Sequence, residues 1–241
     1  MSSAKAGINM VSFHPDSRFL TDFASGSLAT SEAICVAAHL EFCAKCRAHV
    51  QQLSDLGAQI MTRIEPEEAV DADDEGFARL MQKIDDDAVH QQAEVPAPVV
   101  SAAPAQGLSL PRVVQKLAQG SIQSLNWVQL GKSLRIAPVN VGDGVRQTSL
   151  YDIRAGGQMP EHEHRGEEIT VLLKGSFSDA EGKYVRGDFV VRHAGEKHQP
   201  TATMDTDCIC LVSLERPVKP SSIWYRLLEP FVQFRLSGFS N

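Results

Sequence analysis

The chain has 241 residues, 43% hydrophobic and 22% charged, with a formal net charge of −7. Its length predicts two domains of roughly 100–150 residues each, and no apolar run nears the roughly 20 residues that span a bilayer, which disfavours a membrane protein. Residues 1–95 hold 16 acidic against 7 basic residues; this charge disfavours direct DNA binding and is compatible with a basic protein partner or with a plain solvated face.

The first ten residues lack the apolar stretch and the cleavage site of a secretory signal, so we expect the chain in the cytoplasm. That compartment is reducing. Five cysteines, an odd number in two clusters, therefore favour metal binding or oxidant sensing over a disulfide scaffold.

Three helices are predicted in chain order, at about 15–27, 30–39 and 43–64. The first and third show apolar residues three and four positions apart, the spacing that places side chains on one helix face. Pro15 suits the first turn of the first helix, and either Thr30 or Ser31 can cap the second. The sequence therefore predicts a helical amino-terminal region.

A fourth, short helix is predicted around Phe77–Ile84, with the acidic run Asp85–Asp87 at its end. Apolar residues repeat there at i, i+3, i+4 and i+7. Acidic residues at the carboxyl end oppose the helix dipole, so this helix is marginal by itself. We expect it to gain stability by docking, either on its own domain or on a partner.

The composition changes twice after this helix. Residues 89–107 are rich in Pro, Ala and Ser and predict a semi-rigid linker between a helical domain at 1–88 and a second domain at 108–241. From about residue 108, short runs of β-forming residues alternate with glycine-containing turns. The expected fold of the second domain is an antiparallel β-barrel or sandwich.

Three metal donors fall within eight residues of the helical region, namely His39, Cys43 and Cys46. Zn²⁺ prefers four tetrahedral nitrogen or sulfur ligands, so a further donor is needed. His14 is the favoured candidate, because the rival His49 is expected to project from the third helix into solvent. A closed zinc site would stabilise a small module; the alternative is that the two cysteines are simply small buried residues.

The order His, His-x3-Cys-x2-Cys resembles the zinc-binding anti-sigma domain over about residues 10–90. This resemblance implies a domain that binds an extracytoplasmic-function sigma factor and blocks its binding to core RNA polymerase. It also implies zinc ligation by His14, His39, Cys43 and Cys46.

A second group of metal donors lies in the β-rich region. His162 and His164 occupy alternate positions of one strand and project to the same face, and Glu168 follows four residues later. His198 comes after a further strand and turn, which places it opposite the first set across a barrel. Together they offer three imidazoles and one carboxylate, a set that suits zinc, iron, manganese or nickel.

These two segments resemble the two motifs of the cupin superfamily, which implies a cupin barrel and a metal site. The chain departs from the usual pattern at two positions. His193 stands in place of the usual Pro, and Ala202 in place of the usual Asn. Neither departure removes a metal donor, and His193 is interpreted as a turn or surface residue or as part of the pocket lining.

Cys208 and Cys210 lie two residues apart on a predicted strand, so both thiols face the same side. They are interpreted either as small core residues or as a redox pair. The helical module, the linker, the cupin motifs and this trailing Cys-x-Cys together resemble the ChrR family of anti-sigma factors over nearly the whole chain. The resemblance implies a sigma factor inhibitor whose cupin domain senses singlet oxygen or related oxidants.

Two other classes of function stay open from the residues alone. One is a metal-dependent cupin enzyme, such as a dioxygenase, although no acid–base pair is evident beside the metal donors. The other is a cupin that senses a small ligand and binds no sigma factor. The apolar tail at 224–239 is predicted to pack as a closing strand or helix.

Overall fold

A computed structural model describes residues 11–65, 74–91, 110–144 and 146–220. The chain forms two compact units, one of residues 1–57 with 110–241 and the other of residues 58–109. A compact unit and an independently folding domain are different things, so the domain bounds 1–88, 89–107 and 108–241 stay a prediction. Most of the predicted linker and the apolar tail at 224–239 lie outside the described residues.

The four predicted helices are present. In chain order the helices are α1 (Ser17–Ser25), α2 (Thr30–Phe42), α3 (Ala44–Met61), α4 (Asp74–Gln91) and the short α5 (Arg112–Leu117). Asp16 begins α1 by accepting a hydrogen bond from the Phe19 amide at 3.0 Å, so Pro15 lies just before the first turn. The predicted cap of α2 is wrong: its N-cap is Ala29, without a side-chain hydrogen bond, and Asp143 accepts from the Ser31 amide at 2.8 Å instead. Gly26 ends it in a left-handed conformation with φ +73°.

The predicted end of the fourth helix is wrong. Asp85–Asp87 lie inside α4, which continues to Gln91. The unfavourable effect of an acidic side chain on the helix dipole acts only within the last turn. Since Ala88 and Gln91 are good helix formers, they extend the helix beyond the acidic run.

The carboxyl-terminal region is an antiparallel β structure, which confirms the predicted fold class. A six-stranded sheet has the order β1-β2-β3-β11-β5-β8, beside three-stranded sheets of order β10-β6-β7 and β12-β4-β9. The strands are β1 (Val128–Leu130), β2 (Leu134–Val139), β3 (Gln147–Ile153), β4 (His162–Glu163), β5 (Glu168–Lys174), β6 (Ser176–Ser178), β7 (Lys183–Val185), β8 (Phe189–Arg192), β9 (Lys197–His198), β10 (Thr201–Ala202), β11 (Cys208–Leu214) and β12 (Lys219–Pro220).

The central strands of the large sheet are buried on both faces. On β11, Ile209 and Leu211 point to a core that includes Val36 of α2, whereas Cys208 and Cys210 point to the interior between the sheets. Side chains alternate along a strand, so a helix on one face and a second sheet on the other bury every position. The helix α2 thus supplies the cover for the outer face of the sheet.

A buried arginine reinforces this packing. Arg146 is 5% exposed and pairs with Glu32 of α2 and with Glu167, each at 3.3 Å. It also donates to the Ser213 hydroxyl at 2.9 Å. A buried guanidinium needs such partners because desolvation of an unpaired charge is costly. Among the helices within the described ranges, none combines the length and apolar character needed to cross a membrane.

Candidate metal centres

The first centre is a cluster of two imidazoles and two thiols in the helical region. His14 precedes α1, His39 lies in the last turn of α2, Cys43 ends that helix and Cys46 opens α3. One ligand atom from each residue lies within 4.8 Å of those from the others. The His14 Nδ1 atom is 3.4 Å from Cys43 Sγ and 3.5 Å from Cys46 Sγ.

His39 is oriented by the β region. Its Nδ1 atom lies 2.7 Å from the Gly187 carbonyl oxygen, so Nδ1 carries the proton and donates. The buried Nε2 atom has no hydrogen-bond partner among the described residues. Burial lowers the pKa of His39 to about 4. The ring is therefore neutral near pH 7 and presents a lone pair to the cluster, as a metal ligand requires.

The two thiols are also suited to a cation. Burial, together with a hydrogen bond that the Cys46 thiol donates to Cys43, raises the pKa of Cys46 to about 12. A divalent ion in the cluster would supply the positive charge that stabilises the thiolate form. This donor set of two nitrogens and two sulfurs matches a closed, four-coordinate site.

The other histidine and cysteine considered for this region lie elsewhere. His49 is exposed on α3, so the structure places His14, rather than this rival, in the cluster. Cys35 is fully buried in the core, and burial raises its pKa to about 12. Cys35 therefore behaves as a small core residue.

The second centre brings three imidazoles together in the β region. His162, His164 and His198 each contribute one atom to a group within 4.8 Å, and all three residues are buried. His162 and His198 face each other across paired strands, with their Nε2 atoms 3.0 Å apart. Burial lowers the pKa of His164 and of His198 to about 4.

The outer nitrogens of the facing rings fix their tautomers. His162 Nδ1 lies 2.9 Å from the Pro160 carbonyl oxygen, and His198 Nδ1 lies 3.1 Å from Asp179 Oδ2. Both Nδ1 atoms therefore carry protons, and the two Nε2 atoms turn lone pairs towards each other. Such an arrangement repels itself unless a cation binds both nitrogens, so this group also fits a metal ion.

Glu168 lies next to the imidazoles but outside the tight group. Its Oε2 atom is 3.6 Å from His164 Nδ1, and its Oε1 atom accepts a hydrogen bond from the Thr170 hydroxyl at 2.8 Å. His164 itself has no hydrogen-bond partner for either ring nitrogen among the described residues. The role of Glu168 as a ligand stays a prediction.

A small cavity of about 20 Å³ adjoins this centre. Its lining includes His162, Glu168, His198, Tyr151 and Cys210. Pockets that bury organic ligands are usually about 300–1,000 Å³. The space beside the imidazoles therefore suits an ion with water better than an organic substrate.

The Cys208 and Cys210 thiols lie 3.6 Å apart and are both buried. A hydrogen bond that the Cys210 thiol donates to Cys208, together with burial, raises the pKa of Cys210 well above its usual value. Since Cys210 also lines the cavity, the pair sits against the second centre rather than in a remote part of the core.

The two positions that depart from the cupin pattern are clear of the imidazoles. The His193 side chain is 66% exposed and lies 4.0 Å from Glu167, which identifies it as a surface residue. Ala202 is buried in the core between the sheets.

Sequence reasoning missed the residues that support the second centre. Asp179 accepts from Arg192 at 2.9 Å, and Arg192 also donates to the Tyr184 hydroxyl at 2.6 Å. Burial would raise the pKa of Asp179, but hydrogen bonds from Arg192, the Glu181 amide and His198 lower it. Asp179 and Gly182 form a recognisable turn signal, but no local pattern reveals which residues their turn contacts.

Comparisons with known proteins agree with both parts of the chain. The family described as the ChrR cupin-like domain matches residues 115–217. The anti-sigma-E factor ChrR of Cereibacter sphaeroides is 30% identical over 218 residues, which cover 90% of this chain and 96% of that protein. The crystal structure of Rhodobacter sphaeroides SigE in complex with the anti-sigma ChrR matches with a TM-score of 0.68 and 26% identity, covering 85% of this chain and 100% of that chain. This chain therefore belongs to the ChrR family of anti-sigma factors.

Proposed function

We propose that this protein is an anti-sigma factor that binds one extracytoplasmic-function sigma factor in the cytoplasm. The observation that carries the proposal is the similarity to an anti-sigma factor along 90% of the chain. A matching solved structure is described as a complex with SigE. A cupin enzyme is not proposed, because the full-length relative is a regulator.

An exposed apolar helix face supports a protein partner. On α4, Phe77 is 65% exposed, Leu80 54%, Met81 42% and Ile84 50%. These four residues repeat at helical spacing on one face. Contiguous apolar surface of this kind marks interaction sites more often than ordinary solvent-facing surface. The acidic charge around it favours a basic partner such as a sigma factor.

We assign zinc to the cluster of His14, His39, Cys43 and Cys46. Two imidazoles and two thiolates at this spacing form the tetrahedral set that structural zinc sites use. The ion would hold the start of α1, the end of α2 and the start of α3 together, which stabilises a helical region with little core of its own. Its proposed role is structural.

For the second centre we propose a divalent metal held by His162, His164, His198 and Glu168. Zinc, iron, manganese and nickel all accept imidazole and carboxylate ligands. Glu168 lies close enough to His164 that a side-chain rotation would bring its carboxylate to a shared ion. The proposed role of this centre is sensory: oxidant damage or reaction there would lead to release of the sigma factor.

The adjacent thiols are proposed to take part in that response. Loss of two electrons and two protons from Cys208 and Cys210 to an oxidant such as singlet oxygen or peroxide would join their sulfurs, which already lie 3.6 Å apart. Cysteines two apart on a strand form a strained bond that reduces readily. Formation of this disulfide would lower the mass of the oxidised protein by two units. Cys210→Ser should abolish that mass loss and blunt sigma factor release. An unchanged response would return both residues to a core role.

The anti-sigma proposal is tested by copurification. The tagged full-length chain is coexpressed with each extracytoplasmic-function sigma factor of its own genome and with the primary sigma factor as a control. A stable one-to-one complex with one such factor, containing zinc, is the expected result. Failure of every factor to copurify, with the chain folded and zinc-loaded, would overturn the proposal.

A further inference from the structure

One segment of the chain contacts both metal centres. This β7–β8 segment spans Lys183–Arg192 and consists of β7, β8 and the turn between them. Its strands belong to two different sheets, since β7 pairs with β6 and β8 pairs with β5. The turn meets the His/Cys cluster, and Arg192 at the end of the segment contacts Asp179, which holds His198.

The turn of the β7–β8 segment holds a ligand of the first centre. The Gly187 carbonyl accepts the His39 Nδ1 proton at 2.7 Å, and the Phe189 ring packs edge-on against the His39 ring, with centroids 5.9 Å apart. Gly187 has φ +95°, and an added Cβ would lie 2.7 Å from a Val11 methyl and 2.8 Å from Phe42 Cβ. The close approach that positions His39 therefore depends on glycine.

The same turn also holds the segment before His14. The buried Asp188 carboxylate accepts from the Ser12 amide at 2.7 Å and from the Phe13 amide at 3.1 Å. The Phe13 carbonyl in turn accepts from the Phe189 amide at 3.0 Å. Three backbone hydrogen bonds thus fix the chain immediately before a second ligand of the first centre.

The strands of the β7–β8 segment reach the second centre. Asp179 accepts from His198 Nδ1 at 3.1 Å and from Arg192 Nη2 at 2.9 Å. Arg192, at the end of β8, also donates to the hydroxyl of Tyr184 on β7. A movement of His198 therefore reaches side chains of both strands through these hydrogen bonds.

An aromatic contact closes the path between the two centres. The Tyr184 ring is buried, and its centroid lies 4.8 Å from that of Phe13. Phe13 directly precedes His14 in the chain. A continuous set of contacts therefore runs from His198 through Asp179, Arg192, Tyr184 and Phe13 to a donor of the first centre.

We propose that the β7–β8 segment positions ligands of both centres and couples the metal occupancy of one to that of the other. Asp179, Arg192 and Tyr184 act as positioning residues. Occupancy of the cupin site holds His198 in place, and through Tyr184 and Phe13 it favours the arrangement of His14 that binds zinc. Coupling of this kind is reciprocal and is carried by packed contacts with discrete arrangements.

The proposal rests on metal binding at both centres, which belongs to the proposed function, but it does not depend on any sigma factor. Its test therefore needs only the full-length chain loaded with zinc. Failure of the copurification described above would leave this test unaffected, and failure of this test would leave sigma factor binding unaffected.

The test measures how fast N-ethylmaleimide modifies each cysteine, resolved by mass spectrometry of the peptides. His164→Ala removes a cupin donor without touching the bond between His198 and Asp179. In the otherwise unchanged chain, this substitution should raise the modification rate of Cys43 and Cys46 roughly fivefold or more, the lower end of typical coupling between sites. The buried Cys35 serves as the internal reference, and its rate should not change.

Breaking the path should remove the coupling. In a Tyr184→Phe background, which loses one hydroxyl and keeps the ring, His164→Ala should change the Cys43 and Cys46 rates by less than about twofold. Phe13→Leu provides a second, independent break in the path. Tyr151→Phe, the same chemical change at a cavity residue outside the β7–β8 segment, should leave the coupling in place.

Three results would overturn the proposal. One is no effect of His164→Ala on Cys43 and Cys46 in the parent chain. Another is an equal rise in the Cys35 rate, which would show general destabilisation. The last is coupling that persists undiminished in both Tyr184→Phe and Phe13→Leu.

Discussion

The four donors of the His/Cys cluster come from three parts of the chain, namely the segment before α1, the end of α2 and the start of α3. Cys43 and Cys46 are almost fully buried. This burial raises the pKa of Cys46 to about 12. The buried Nε2 atom of His39 has no hydrogen-bond partner among the described residues, and an ion bound by the cluster would supply one. At the scale of single residues, the four donors therefore indicate a metal site when they are taken together.

Substitution of one donor tests this set. Cys43→Ala should lower the zinc content by about one ion per chain, because a closed four-coordinate site loses most of its affinity with one ligand. The helical region should loosen and sigma factor binding should be lost. Metal analysis and far-ultraviolet circular dichroism measure these effects. Cys35→Ala, at a buried cysteine outside the cluster, should keep the zinc; equal zinc content in both variants would contradict the assignment.

A glycine shows a different residue-scale constraint. Gly187→Ala should destabilise the fold by at least about 1 kcal/mol more than Gly195→Ala, because both sites have positive φ but only Gly187 lacks room for a Cβ. Gly195 has φ +90° and nothing within 4 Å of an added Cβ. Urea unfolding of both variants measures the difference. Equal losses would mean that backbone strain alone matters at Gly187.

At the scale of elements, α4 differs from α1 and α2 in what it leaves uncovered, and the second half of α3 likewise exposes Leu56, Ile60 and Met61. Helix α2 buries residues against the sheet, and α1 buries Phe19 and Leu20. The apolar face of α4 remains exposed. A helix of this kind is marginal in isolation and becomes more stable when a partner covers its apolar face.

This difference gives a prediction for α4. Leu80→Asp should weaken sigma factor binding roughly tenfold or more, because burial of a leucine at an interface contributes about 1.5–3 kcal/mol. The melting temperature should change little, since Leu80 is 54% exposed. Gln82→Asp adds the same charge to the opposite side of the same helix and should bind normally. Isothermal titration calorimetry distinguishes the two, and equal affinities would place the interface elsewhere.

At the scale of the whole molecule, the packing of α2 on the sheet joins the helical and β regions in one compact unit. Arg146 connects Glu32 on the helix with Glu167 beside the sheet. The Ser31 amide also donates to Asp143 Oδ2 at 2.8 Å. These polar contacts accompany an apolar core shared by α2, β5 and β11.

Removal of the buried arginine tests how much this packing contributes. Arg146→Ala should lower the free energy of unfolding by about 3–5 kcal/mol, because it leaves two carboxylates near a core without their cation. Arg18→Ala removes a 54% exposed arginine from the same Glu167 and should cost about 0–1 kcal/mol. Urea unfolding compares them. Similar small losses would show that solvent already screens the Arg146 pairs.

Local patterns in the sequence predicted the helices, the antiparallel β region and the donors of both clusters. Residues three and four apart share a helix face, and alternate residues share a strand face, so spacing alone indicated that His39, Cys43 and Cys46 could converge and that His162 and His164 could point the same way. The end of α4 was wrong because propensity over the next residues outweighed the acidic run. The choice of His14 over His49 rested on expected exposure, and the structure places His14 in the cluster.

The sequence by itself determined which residues offer metal-binding chemistry and which kind of element carries them, because both depend on near neighbours in the chain. Only the tertiary structure decided what surrounds those donors. His39 bonds to Gly187, 148 positions away, and Asp179 supports His198 from another strand pair. Such contacts depend on how the helices and sheets pack, and no local pattern encodes that packing.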